Sequence, residues 1–197
     1  MNTKKRLRKM VALTLLVAII VVQNIVPFLG YIPIGPLSIT VIPVTVAVAA
    51  VIFGPRAGAL IGGIWGVIDW LRAFCWPTSP LAALVMVNPV VSVLPRVLVG
   101  VVAGMVFKRL GRQHRQLGAA VAAGSGALTN TVLVLGFIYL LYRGHAHALY
   151  GVAVHALLPY LLTVVATNGI PEVVLAMMVV PPITWALAQR GFGDRSD

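Results

Sequence analysis

Residues 54–72 read GPRAGALIGGIWGVIDWLR, an apolar run that contains a single carboxylate, Asp69. An α-helix needs about 20 predominantly apolar residues to cross the hydrocarbon core of a bilayer, so this run predicts a transmembrane helix. Glycine recurs at every fourth position, which aligns the glycines on one side of the helix and lets a neighbouring helix approach closely. We call this side the glycine face; it consists of Gly54, Gly58, Gly62 and Gly66.

The rest of the chain has the same apolar character. Of its 197 residues, 60% are hydrophobic and 10% are charged, and the mean hydropathy is +1.00. A soluble globular domain typically has about 25% charged residues. Apolar segments lie at 10–29, 38–53, 57–73, 83–107, 117–142 and 170–189. We therefore predict a single all-α integral membrane domain, residues 1–197, with six transmembrane helices joined by short loops.

The formal net charge of +11 is concentrated at the ends of these segments. Residues 1–9 and 108–115 are rich in Lys and Arg, whereas the connections near 28–38 and 74–82 hold no charged residue. Cytoplasmic loops carry the excess of positive charge in membrane proteins. The pattern therefore indicates topology rather than nucleic-acid binding, and it predicts that residues 1–9 and the 108–115 connection are cytoplasmic. Six crossings then place the 190–197 tail, which has no net charge, on the same side.

Residues 143–166 are apolar enough for a seventh span but contain His145, His147 and His155 together with Tyr150 and Tyr160. Aromatic and amphipathic side chains favour the membrane–water interface. We therefore predict a capping or re-entrant segment on the outer face, with a seventh span as the alternative.

Polar side chains inside the predicted helices are the candidate functional residues. Arg96 lies about 12 residues before Lys108, hence about 18 Å from the inner boundary at 1.5 Å per residue, where a charge must be paired or face a polar cavity. Two interpretations remain open: a structural bridge to Asp69 or Glu172, or an arginine held for an anionic ligand, because a guanidinium matches a carboxylate. The candidate pocket residues are Trp65, Asp69, Asn88, Ser92, Arg96, Asn130, Asn168 and Glu172.

Sequence signatures of enzymes are missing from the chain. It has no HExxH, no GxSxG and no phosphate-binding GxxxxGK[ST] motif. We therefore predict that the protein is not an enzyme and that it binds no cofactor or metal of its own.

Three stretches carry a resemblance to a known family: LGYIPIG at 29–35, FGPRAGA at 53–59 and NPVVSVLPR at 88–96. In order and position they resemble the substrate-binding subunits, or S-components, of bacterial energy-coupling factor (ECF) vitamin transporters. The last stretch, together with NGIPE at 168–172 and VVPP at 179–182, is most similar to the pantothenate-type branch.

The resemblance implies a protein of the bacterial cell membrane that captures a water-soluble vitamin outside, with pantothenate first and folate or pyridoxine as alternatives. It also implies partners: a membrane coupling subunit (T-component) and two cytosolic ATPases that hydrolyse ATP. The glycine face and the small-residue pair Thr14 and Ala18 are the expected docking surfaces, although the glycine face could instead be an internal packing seam. The rival classes are a stand-alone small transporter and a membrane enzyme.

Overall fold

A computed structural model describes residues 3–26, 28–34, 37–75, 77, 80–111, 113–145, 147, 150–151 and 153–192. These residues are mostly helical and include one antiparallel β-hairpin, formed by β1 (Tyr31–Ile34) and β2 (Leu37–Thr40). The helices are α1 (Thr3–Ile25), α2 (Ile42–Phe53), α3 (Pro55–Cys75), α4 (Pro80–Val85), α5 (Pro89–Ser92), α6 (Leu94–Leu110), α7 (Arg115–Tyr142), α8 (Leu157–Val164) and α9 (Ile170–Gln189).

Five helical stretches are long and apolar enough to cross a membrane: Arg6–Ile25, Pro55–Cys75, Pro89–Leu110, Arg115–Tyr142 and Val154–Gln189. The sixth predicted segment corresponds to α2, which is apolar but only 12 residues long. The prediction of an all-α membrane fold is confirmed. The number of crossings and the cytoplasmic placement of both termini stay predictions.

Two predicted helical segments are corrected by the structure. The segment at 38–53 is helical only from Ile42, because residues 37–40 form β2 and pair with β1. Pro43 lies in the first turn of α2, where a missing backbone N–H costs no hydrogen bond. The segment at 83–107 is divided into α4, α5 and α6, and Pro89 and Pro95 each lie in the first turn of a new helix.

Helix α2 forms the centre of the bundle. Every residue from Ile42 to Ile52 is buried, and α1, α3, α6, α7 and α9 all pack against it. A helix that is apolar on all sides is stable only when it is surrounded in this way. Gly54 joins α2 to α3 at a φ of 90°, in the left-handed region that glycine adopts without strain.

The glycine face lies inside the bundle. A Cβ atom added to Gly58 would lie 2.6 Å from the Cβ of Ala50 on α2 and 2.7 Å from the carbonyl oxygen of Gly100 on α6. On Gly66 it would lie 2.7 Å from the Cα of Val93, and on Gly62 it would meet the backbone of Arg96. These three glycines contact helices of their own chain, which favours the internal packing seam over the docking surface; their part in docking stays a prediction.

The other docking candidates have a different environment. Thr14 and Ala18 are exposed on α1, and the Thr14 hydroxyl donates to the carbonyl oxygen of Met10 at 3.0 Å. Gly54 is partly exposed, and a Cβ added there would meet no atom within 4 Å. Their part in docking stays a prediction.

The region 143–166 is helical at both of its ends. Short 3₁₀ turns lie at Arg143–His145 and Val154–Ala156, and from Val154 onward the chain is helical through to Gln189. Within this run a π-helical turn, Val165–Gly169, joins α8 to α9. Such turns are rare and frequently occur at functional sites. Whether residues 143–166 cap the outer face stays a prediction.

Candidate functional site

A buried ion pair joins α3 to α6. Arg96 Nη2 lies 3.2 Å from Asp69 Oδ2, and both side chains are more than nine-tenths buried. Arg96 Nη1 also donates to the carbonyl oxygen of Val91 at 2.9 Å, and the guanidinium carbon lies 5.0 Å from the centre of the Trp65 ring. This is the structural interpretation offered by the sequence, with Asp69 rather than Glu172 as the partner.

The β-hairpin is attached to this ion pair through Tyr31 on β1. Its hydroxyl donates to Asp69 Oδ1 at 2.8 Å, and Asn24 Oδ1 on α1 lies 3.3 Å away. The indole N–H of Trp65 is 3.5 Å from the same hydroxyl. Burial, and then the neighbouring Asp69 carboxylate, raises the pKa of the Tyr31 hydroxyl, so the group remains a proton donor.

A second arginine lies beside this cluster. Arg72 is three residues after Asp69, in the last turn of α3, and its guanidinium carbon is 5.5 Å from the centre of the Tyr31 ring. Stacking over an aromatic ring stabilises a cation. Each of the two arginines therefore lies over one aromatic side chain, Arg96 over Trp65 and Arg72 over Tyr31.

Glu172 binds the other strand of the hairpin. Its Oε1 accepts a hydrogen bond from the backbone N–H of Thr40 on β2 at 2.6 Å, and its side chain is buried. The two carboxylates predicted for the pocket therefore hold the two strands: Asp69 through Tyr31, and Glu172 directly.

Asn88 and Ser92 have local structural roles. Asn88 is the N-cap of α5, because its Oδ1 accepts from the backbone N–H of Val90 at 3.0 Å. The buried Ser92 hydroxyl donates to the carbonyl oxygen of Asn88 at 3.0 Å. These two residues stabilise the break between α4 and α6 that positions Arg96.

Asn130 and Asn168 have unused hydrogen-bonding capacity. Both are 8% exposed, yet Asn130 Oδ1 and Asn168 Nδ2 have no hydrogen-bond partner among the residues that the structure describes. A buried polar atom without a partner costs about 1–3 kcal/mol. One atom is an acceptor and the other a donor, which is the combination that a ligand amide would satisfy.

These polar groups lie at a similar level in the bundle. A Cβ on Gly126 would lie 3.3 Å from the carbonyl oxygen of Val99, so one helical turn further on Asn130 reaches the level of Arg96. A Cβ on Gly169 would lie 2.8 Å from Thr131 Cγ2, which places the π-helical turn and Asn168 beside the same part of α7.

The candidate pocket residues chosen from the sequence did not include Tyr31, Asn24 or Arg72. Tyr31 lies in a stretch without charge, and only the hairpin brings it to Asp69. Arg72 follows Asp69 at a spacing of three residues, which places both on one side of a helix. That spacing was a signal that could have included Arg72 in the candidate site.

The helices are apolar and long enough to cross a membrane, and they enclose polar atoms that have no hydrogen-bond partner among the described residues. This combination is typical of a membrane protein that binds or transports a small polar ligand. The chain belongs to the family described as ECF transporter, substrate-specific component, which it matches over residues 8–184. It is therefore a component of a membrane transporter and not an enzyme.

Two relatives are similar over most of their length. The chain is 34% identical over 189 residues to the Pantothenate transporter PanT of Leuconostoc mesenteroides subsp. mesenteroides, an alignment that covers 92% of each chain. It is 32% identical over 181 residues to the Pantothenic acid transporter PanT of Lactococcus lactis subsp. cremoris, and this alignment covers 85% of this chain and 83% of the relative.

Proposed function

We propose that this chain is the pantothenate-binding subunit of an ECF importer. Both relatives are named as pantothenate transporters, and each alignment covers more than four-fifths of both proteins. The binding site is inferred from two buried amide atoms, Asn130 Oδ1 and Asn168 Nδ2, which have no hydrogen-bond partner among the described residues and lie at a level of the bundle similar to that of Arg96.

Pantothenate has one carboxylate, one amide and two hydroxyl groups. In the proposed complex the ligand amide and hydroxyls bind Asn130 and Asn168, and its carboxylate binds an arginine of the cluster. Trp65 and the aliphatic side chains around it supply apolar walls. A mainly apolar pocket with a few placed polar groups is the usual construction of a small-molecule site.

The Arg96–Asp69 pair, Asn88, Ser92 and Glu172 then act as a frame for this pocket. Each makes hydrogen bonds within the chain: Arg96 with Val91, Asp69 with Tyr31, Asn88 with Val90, Ser92 with Asn88, and Glu172 with Thr40. A site whose side chains are already held in place loses less conformational entropy when the ligand binds.

The subunit captures the vitamin at the outer face of a bacterial plasma membrane and releases it inside while docked on a T-component and two cytosolic ATPases. ATP is hydrolysed by those partners, and this chain supplies no motor. The family description supports the role of a substrate-specific component. Small exposed side chains on α1, Thr14 and Ala18, support a docking surface there, because they let a partner helix approach closely.

Reconstitution tests this function. The chain is placed in proteoliposomes with a T-component and two ATPases. Uptake of labelled pantothenate is then measured with ATP enclosed in the vesicles, on the side of the membrane where the ATPases lie. We expect ATP-dependent uptake that excess unlabelled pantothenate abolishes and folate or pyridoxine does not. Uptake by the isolated chain at the same rate would show a stand-alone transporter. Competition by folate or pyridoxine alone would assign the site to that vitamin.

A further inference from the structure

The sequence contains few carboxylates to balance its arginines. Its four acidic residues are Asp69, Glu172, Asp194 and Asp197, and the last two lie outside the described residues. Asp69 accepts from Tyr31 on one oxygen and from Arg96 on the other. Glu172 accepts from the Thr40 backbone. Within the described part of the chain, the Arg96–Asp69 contact is the one salt bridge.

Arg72 is therefore a cation beside the cluster without a carboxylate partner among the described residues. Its Nε atom is buried and has no hydrogen-bond partner there, and its guanidinium lies over the Tyr31 ring. A guanidinium carries its N–H groups along its edge, where they can bind an acceptor in the same plane. That edge matches the two oxygens of a carboxylate.

Arg96 is less suited to the same task. Its Nε, like that of Arg72, has no hydrogen-bond partner among the described residues, but its two terminal nitrogens already donate, Nη1 to the Val91 carbonyl oxygen and Nη2 to Asp69. A ligand carboxylate that bound Arg96 through Nη2 would compete with Asp69, and displacing Asp69 would leave that carboxylate buried without its partner, which is strongly unfavourable.

We propose that Arg72, and not Arg96, binds the carboxylate of the ligand and sets the preference of the site for an anion. This inference rests on the proposed function, because it names the charge contact of the same pocket. Arg72 is three residues beyond Asp69, about 4.5 Å further toward the Cys75 end of α3. The carboxylate would therefore bind at the mouth of the pocket, while the amide and hydroxyls reach Asn130 and Asn168.

A purely structural role for Arg72 makes a different prediction. A cation in the last turn of a helix stabilises the negative end of the helix dipole, and the stack on Tyr31 stabilises the hairpin. Both effects are independent of the charge of the ligand. Varying the protein and the ligand charge together separates the two roles.

The test compares pantothenate with its alcohol analogue, in which a CH₂OH group replaces the carboxylate. Calorimetry measures both ligands with the unmodified chain, Arg72→Gln, Arg72→Lys, Arg96→Gln and, as a matched control, Arg56→Gln. Arg56 is exposed at the opposite end of α3, and its substitution removes the same charge. Binding of the alcohol also reports whether each variant is folded.

We expect the unmodified chain and Arg56→Gln to bind pantothenate about ten- to hundredfold more tightly than the alcohol, the worth of a charge-assisted contact. Arg72→Gln should bind the two ligands equally, with an unchanged affinity for the alcohol, and Arg72→Lys should restore part of the difference. If Arg72→Gln lowers the affinity for both ligands by the same factor, or keeps the full preference for pantothenate over the alcohol, the inference is wrong. If only Arg96→Gln loses that preference, the carboxylate binds Arg96 instead. If the unmodified chain binds neither ligand, the proposed function itself fails.

Discussion

Replacement of Gly66 by alanine tests how tightly α3 packs against the α5–α6 junction. The new Cβ would lie 2.7 Å from the Cα of Val93 and 2.9 Å from the carbonyl oxygen of Ser92. An ordinary van der Waals contact begins at 3.4 Å, so the backbone must move by about 0.7 Å. Overpacking of this kind lowers the free energy of unfolding by about 1–3 kcal/mol. The higher helix propensity of alanine raises it by about 1 kcal/mol relative to glycine.

The matched control is Gly63→Ala on the same helix. Its Cβ would lie 3.4 Å from Val97 Cγ2, an ordinary contact, so only the gain in helix propensity applies. We expect the free energy of unfolding of Gly66→Ala to fall below that of Gly63→Ala by about 1–3 kcal/mol. For a chain of this size, thermal unfolding in detergent should then differ by about 2–4 °C per kcal/mol.

Equal stability of the two variants would refute the internal packing of the glycine face. If Gly66→Ala were as stable as Gly63→Ala, but assembly with the coupling subunit were lost, the glycine face would be the docking surface predicted from the sequence.

Three further predictions concern the site and the topology. Asn130→Ala should weaken pantothenate binding by about tenfold in calorimetry without lowering the unfolding temperature, because the lost oxygen has no hydrogen-bond partner in the described part of the chain; an unchanged affinity would exclude Asn130 from the site. Asp69→Asn should destabilise the chain by about 3–5 kcal/mol, since it leaves Arg96 without its counter-charge, and a normal unfolding temperature would contradict the structural role of the pair. With the native cysteine replaced, cysteines at Arg109 and His147 should react with a membrane-impermeant reagent from opposite sides; reaction from one side requires a different number of crossings.

The apolar helices could be predicted because their composition is dominated by one requirement, burial in lipid or in the bundle. Residues 57–73, 117–142 and 170–189 all lie within helices of the structure. The strand at 37–40 could not, because its β-branched residues are equally apolar in a helix or a hairpin. The antiparallel pairing of 37–40 with 31–34, in which Ile39 lies opposite Ile32, distinguishes the two.

The polar cluster was partly predictable from the cost of burying charge. That cost required a partner for Arg96, and the chain offers only two acids in or beside its apolar segments. The choice of Asp69 over Glu172 depends on the helix arrangement, which no local pattern encodes. The same applies to Tyr31, whose contact with Asp69 spans 38 positions, and to the glycine face, whose neighbour on α6 could equally have been a helix of another protein.

Calorimetry of the purified chain with a panel of vitamins tests the central claim most directly. Pantothenate, folate, riboflavin, biotin, thiamine and pyridoxine are titrated separately into the isolated subunit in detergent, without a coupling complex. We expect one pantothenate to bind per chain, with an affinity well above that for every other vitamin. No binding of pantothenate, or preferential binding of a neutral or cationic vitamin such as riboflavin or thiamine, would contradict it.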